Sequence, residues 1–129
     1  MPQKRKCITN MSARILESGI EKRVRRWVEE ENGIWIKLLA DGRKGIPDNL
    51  ILLPPIVIDR FEFPVNFMVE LKRRHGGIVS PHQEKWIKDL HHVGQPAFVC
   101  YSLEHVKDVA QFCKDTIRRR VLGPKADLD

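Results

Sequence analysis

Residues 45–72 read GIPDNLILLPPIVIDRFEFPVNFMVELK, and the fold is decided by how this stretch divides. A Gly45-Ile46-Pro47-Asp48 turn opens one apolar run, Asn49 to Leu53, and a second run from Val65 ends in Glu70-Leu71-Lys72. Short apolar runs bounded by turn residues read as strands. Asn49 to Leu53 is almost wholly apolar, as expected of a strand covered on both faces, and Pro54-Pro55 is expected to end it. Ile56 to Ile58 either prolongs the sheet or forms a hairpin arm with Phe61 and Phe63, and Pro64 breaks the pattern again. Side chains two apart on a strand share a face, so Glu70 and Lys72 point together while Leu71 faces the core. If the two runs are neighbours, Asp48 at the entrance of the first lies beside Glu70 near the end of the second.

Upstream, Leu16, Ile20, Val24, Trp27 and Val28 recur at helical spacing, and Asn32-Gly33 supplies residues that tolerate a left-handed cap. Ile34 to Leu39 reads as a strand with Trp35 and Lys37 on one face and Ile34, Ile36 and Leu38 on the other. Downstream, Ser80-Pro81 starts a second helix with a capping residue followed by proline at its favoured first position, and Gly94 ends it. Trp86, Ile87, Leu90 and Val93 form its expected buried face. Ala97 to Tyr101 is a short strand, and Ser102 caps a last helix with Val106, Val109, Ala110, Cys113 and Ile117 on its inner stripe. The order is helix, three strands, helix, strand, helix: an α/β domain over 11–122 between a basic tail, 1–10, and a C-terminal tail, 123–129.

A chain of 129 residues can bury a single core. Its net charge of +6 suits a polyanionic partner. Three cysteines without C-x-x-C spacing argue against a disulfide framework or a Cys-rich zinc site and suit a reducing compartment. The five histidines show no zinc-ligand spacing. No apolar run approaches the roughly 20 residues of a membrane helix, so an intracellular, cytoplasmic protein is expected.

The candidate chemistry lies at the ends of the central strands. A carboxylate-x-Lys triplet alone is often just a pair of strand-end charges, but here the only one sits on the most convincing strand. Pro47 stiffens the backbone that delivers Asp48, and Gly45 frees the turn before it. Glu21 lies at the edge of the first helix's buried stripe and can lean toward the sheet, with Glu17 one turn back as its competitor. Gln83 completes a Ser80-x-x-Gln83 capping box and is also in register with Trp86, Ile87 and Leu90. Arg43-Lys44 and Arg73-Arg74 flank the two halves of the site, where they can neutralise phosphates. Oxygen ligands for a hard divalent cation beside a lysine are the equipment of metal-assisted phosphodiester hydrolysis.

Glu21, Gly45-x-Pro47-Asp48, Glu70-x-Lys72 and Ser80-x-x-Gln83, taken in this order, resemble the virus-type replication and repair nuclease (VRR-NUC) family of the PD-(D/E)xK nuclease superfamily. The resemblance spans about residue 17 to Leu103 and is closest to the stand-alone form found in phages and bacteria. It implies an αβββαβ core, a mixed sheet flanked by helices, with a C-terminal helix added. It further implies a DNA endonuclease dependent on Mg²⁺ or Mn²⁺, a homodimer, and cleavage of four-way junctions or other branched DNA in replication or repair. Asp48, Glu70, the Leu71 carbonyl and Glu21 would hold the metal, Lys72 would orient or deprotonate the attacking water, and Gln83 would steady the site. The segment from Pro54 to Pro64 is longer than the short connection of small members and is a candidate for dimerisation. The alternative is a non-catalytic nucleic-acid-binding protein that retains the nuclease fold.

Overall fold

The computed structural model describes residues 19–39, 45–73 and 78–124. The basic N-terminal tail, Glu17, Arg43, Lys44 and Arg74 lie outside the described residues. The elements run α1 (Gly19–Glu30), β1 (Ile34–Lys37), β2 (Asn49–Ile58), β3 (Phe61–Leu71), α2 (Pro81–His92), β4 (Ala97–Cys100) and α3 (Leu103–Leu122). The strands form one mixed sheet in the order β1-β2-β3-β4, antiparallel from β1 to β3 and parallel between β3 and β4. A parallel pair needs a crossover, and α2 supplies it.

In α1 the buried positions are Glu21, Val24 and Val28, three and four apart on one face. Asn32 takes the left-handed cap at φ 61°, and the Gly33 amide closes the helix by donating to the Val28 carbonyl at 2.8 Å. A side chain at Gly33 would meet the Leu52 carbonyl oxygen at 2.6 Å, so the chain entering β1 passes directly over β2.

The expected end of β2 at Pro54-Pro55 is overturned. The strand continues to Ile58 and turns through Asp59-Arg60 into β3, pairing Ile58 with Phe61. Asp59 accepts a positive φ of 58°, which aspartate tolerates better than most residues. The register shifts between Leu53 and Ile56, and Pro64 on β3 falls between the paired residues Phe63 and Val65. Three residues without an N–H are thus gathered where ladder bonds are interrupted. The expectation that Asn49 to Leu53 is covered on both faces also fails: Asn49, Ile51 and Leu53 are buried, whereas Leu50 and Leu52 are only half-buried.

The core joins Val24 and Val28 of α1, Trp35, Ile51, Phe67 and Val69 of the sheet, and Val106, Val109, Ala110 and Cys113 of α3. Ser102 caps α3 by accepting from the His105 amide, and α3 lies against β3, β4 and α1. Ile117, expected on its inner stripe, is half-buried. Cys100 and Cys113 are free and buried. The inner face expected of α2 is shallower than its spacing suggests: Trp86, Ile87 and Leu90 are half-buried and Val93 is 75% exposed. The helix rests on β4 alone among the strands with several contacts, so little sheet is available to cover its stripe. No helix among the described residues is long and apolar enough to cross a membrane.

Candidate active site

Asn49 pairs with Val69, so one step further along the antiparallel ladder Asp48 stands opposite Glu70. On the other side the Leu38 amide donates to the Asp48 carbonyl at 2.7 Å, extending the β1-β2 ladder past Lys37. The exit of β1, the entrance of β2 and the exit of β3 therefore converge at one end of the sheet. Glu21, in the first turn of α1, reaches the same place. The resulting cavity of about 180 Å³ is lined by Glu21, Lys37, Asp48, Asn49, Glu70 and Lys72, with Leu71 and Arg73 beside them.

Both oxygens of Asp48 are engaged. Oδ1 accepts from Asn49 Nδ2 at 2.8 Å, and Oδ2 pairs with Lys37 Nζ at 2.7 Å. Asn49 is itself clamped, since its Oδ1 accepts from the Trp35 indole at 2.9 Å and its Nδ2 also donates to the Val69 carbonyl at 3.2 Å. Lys37 Nζ lies 2.5 Å from Glu21 Oε1 as well, so one ammonium bridges the helix carboxylate and the strand carboxylate. Burial alone would lower the Lys37 value. The hydrogen bonds and charges of Asp48 and Glu21 outweigh it and hold the ammonium above the ordinary lysine range.

Glu70 pairs with Lys72 at 3.7 Å. Burial first, and the negative charge of Asp48 second, push its carboxyl up to about 7 against the opposing pull of Lys72 and Lys37. Among the described residues, three carboxylates and two lysines thus share a half-closed space, and Glu70 is the carboxylate of the three with the most distant lysine partner. A carboxyl whose charge is disfavoured by burial and by a second carboxylate is a donor whose ionised form a cation would favour, and oxygen donors suit a hard divalent ion. Each Asp48 oxygen has two lone pairs, so one hydrogen bond apiece leaves capacity for such an ion. In this respect the residues fit the metal that the sequence implies, although among the described residues no group of three His, Cys, Asp or Glu side chains is spaced to hold one.

Gln83 is buried but is not part of the cavity lining. Its Oε1 accepts from the Ser80 amide at 3.0 Å and its own amide donates to Ser80 Oγ at 3.2 Å, the reciprocal capping box. The start of α2 abuts the turn that presents Asp48: a Cβ on Gly45, at φ +87°, would come within 2.6 Å of the His82 carbonyl carbon and 2.8 Å of the Gln83 nitrogen. Of the basic residues expected to flank the site, Arg73 is exposed at the cavity's edge; Arg43, Lys44 and Arg74 lie outside the described residues.

The sequence reading misses Lys37 and Asn49. The alternation of β1 puts Lys37 with Trp35 but leaves open which face is inward. Asn49 is a polar residue absorbed into a run read as apolar, although its place directly after Asp48 is the signal that could have marked it.

A solved structure of a VRR_NUC domain matches the fold with a TM-score of 0.58 and 27% sequence identity, over 71% of this chain and 90% of that one. No family model matches, and neither does any curated protein. The mixed four-stranded sheet flanked by helices, with its strand ends meeting at one cavity, is a PD-(D/E)xK-like fold, and the likeness to that domain supports the resemblance of the sequence to the VRR-NUC family of nuclease domains.

Proposed function

We propose that the protein is a metal-dependent DNA endonuclease, with Asp48, Glu70 and the Leu71 carbonyl as holders of Mg²⁺ or Mn²⁺ and Lys72 as the group that readies the attacking water. The observation that carries this reading is the meeting of Asp48, Glu70 and Lys72 in one cavity at the ends of β2 and β3. A bound divalent ion supplies charge neutralisation at the phosphate and a more acidic water. Lys72, beside Glu70, would orient or deprotonate the attacking water. Asn49 and Lys37 fix Asp48 so that its carboxylate needs no reorganisation. Gln83 acts at one remove, by holding the start of α2 against the Gly45 turn. Arg73, with Arg43, Lys44 and Arg74, neutralises the flanking phosphates.

The finer form of the proposal is selectivity for four-way or otherwise branched DNA by a homodimer. One active site per chain would cut one strand, so symmetrical cutting of a junction requires two copies. The test is a cleavage panel of duplex, flap, single-stranded and four-way DNA with Mg²⁺, Mn²⁺ or EDTA. Metal-dependent nicking that is fastest on the branched substrates is expected. Binding of every substrate without nicking in either metal would replace this reading with that of a non-catalytic DNA-binding domain.

A further inference from the structure

The site holds a second lysine, Lys37, buried and paired with two carboxylates. Lys37 is 9% exposed and Glu21 3%, yet the pair is not an isolated structural ion pair, because the same ammonium also holds Asp48 and lines the cavity. Replacing one partner of a buried pair leaves an uncompensated charge, so such an arrangement persists only when every member is held. Glu21 is held in the phase of the Val24 and Val28 stripe, and Lys37 by the pairing of β1 with β2 directly opposite Asn49. The space between Glu21 and Asp48 is therefore already filled by a positive charge that belongs to the chain. Among the described residues Glu70 has no comparable cation: Lys72 stands farther off, at 3.7 Å.

Resting on the reading of Asp48 and Glu70 as metal holders, we infer that Lys37 is a resident cation that takes the place of a second metal ion, so that the cavity accepts one divalent ion and Glu21 acts through Lys37 and not on the metal. Glu21 is then a positioning residue: it fixes Lys37, which fixes Asp48 Oδ2. The inference separates two carboxylates that look equivalent in the sequence. Glu70 contacts the ion; Glu21 does not.

Calorimetric titration of Mn²⁺ into the full chain, paired with electron paramagnetic resonance of the bound ion, reads this without any turnover. One ion per chain with the spectrum of an isolated Mn²⁺ is expected for the parent. Glu70→Gln should weaken binding by about 30-fold or more, because an anionic ligand is lost beside a dication. Glu21→Gln, which still offers Lys37 an acceptor oxygen, should change the affinity by less than about threefold, and Lys37→Met should tighten it by about tenfold as a like charge is removed. If Lys37→Met does not fold, the comparison of Glu21→Gln with Glu70→Gln decides alone. Two spin-coupled ions in the parent, or a Glu21→Gln loss as large as that of Glu70→Gln, overturns the role given to Lys37 while leaving the metal reading intact. A parent that binds no Mn²⁺, with or without DNA, overturns both.

Discussion

Asp48 is gripped from two sides, and the grip is where single substitutions should be felt most. Asn49 spends both ends of its amide on Trp35, Val69 and Asp48 while almost fully buried. Asn49→Ala leaves a buried indole N–H and a carbonyl without their partner, a loss of about 2–3 kcal/mol. Urea denaturation should show it; a change under about 0.5 kcal/mol, the size of an ordinary surface substitution, would mean the amide is not structural. Glu70 carries the pH dependence. Its folded value of about 7 lies above the ordinary 4.5, so its contribution favours folding below pH 4.5 and is lost as pH rises through 7. In EDTA the parent should therefore lose about 2 kcal/mol relative to Glu70→Gln between those limits, allowing for solvent screening. A flat difference between the two denaturation series across this range would show that Asp48 and burial do not press on Glu70.

At the level of elements, the parts that sequence revealed are those whose cause is local. Ser80, Pro81 and Gln83 announce the start of α2, and Asn32 the end of α1, because caps satisfy backbone groups within a few residues. Ser80→Ala should accordingly cost about 1 kcal/mol in thermal or urea unfolding. Gly45→Ala should cost more, since it combines a positive φ with backbone of α2 at 2.6 Å. The parts that sequence hid depend on partners far along the chain. Pro54-Pro55 looks like a stop because proline cannot donate to a ladder, and only the register shift opposite Pro64 shows how the sheet absorbs them. Lys37 looks like the outward end of a short strand until α1 brings Glu21 over it and β2 brings Asp48 beside it. The shallow burial of α2 was equally illegible, because periodicity reports which residues share a face and not how much surface will cover it.

For the molecule as a whole, the net charge of +6 and the cavity of carboxylates and lysines suit the proposed function, in which a basic body would gather a polyanion around a metal-dependent site. DNA affinity should fall steeply with salt, and an affinity indifferent to salt between about 50 and 200 mM would argue against phosphate contacts. The central claim is that Lys72 works on the attacking water while the rest of the chain binds and positions DNA. It is tested most directly by comparing the Mn²⁺-dependent cleavage rate of Lys72→Ala with that of the parent on one branched substrate, at matched fractions bound. The account predicts a rate reduced by about 100-fold or more with DNA affinity little changed; equal rates would contradict it.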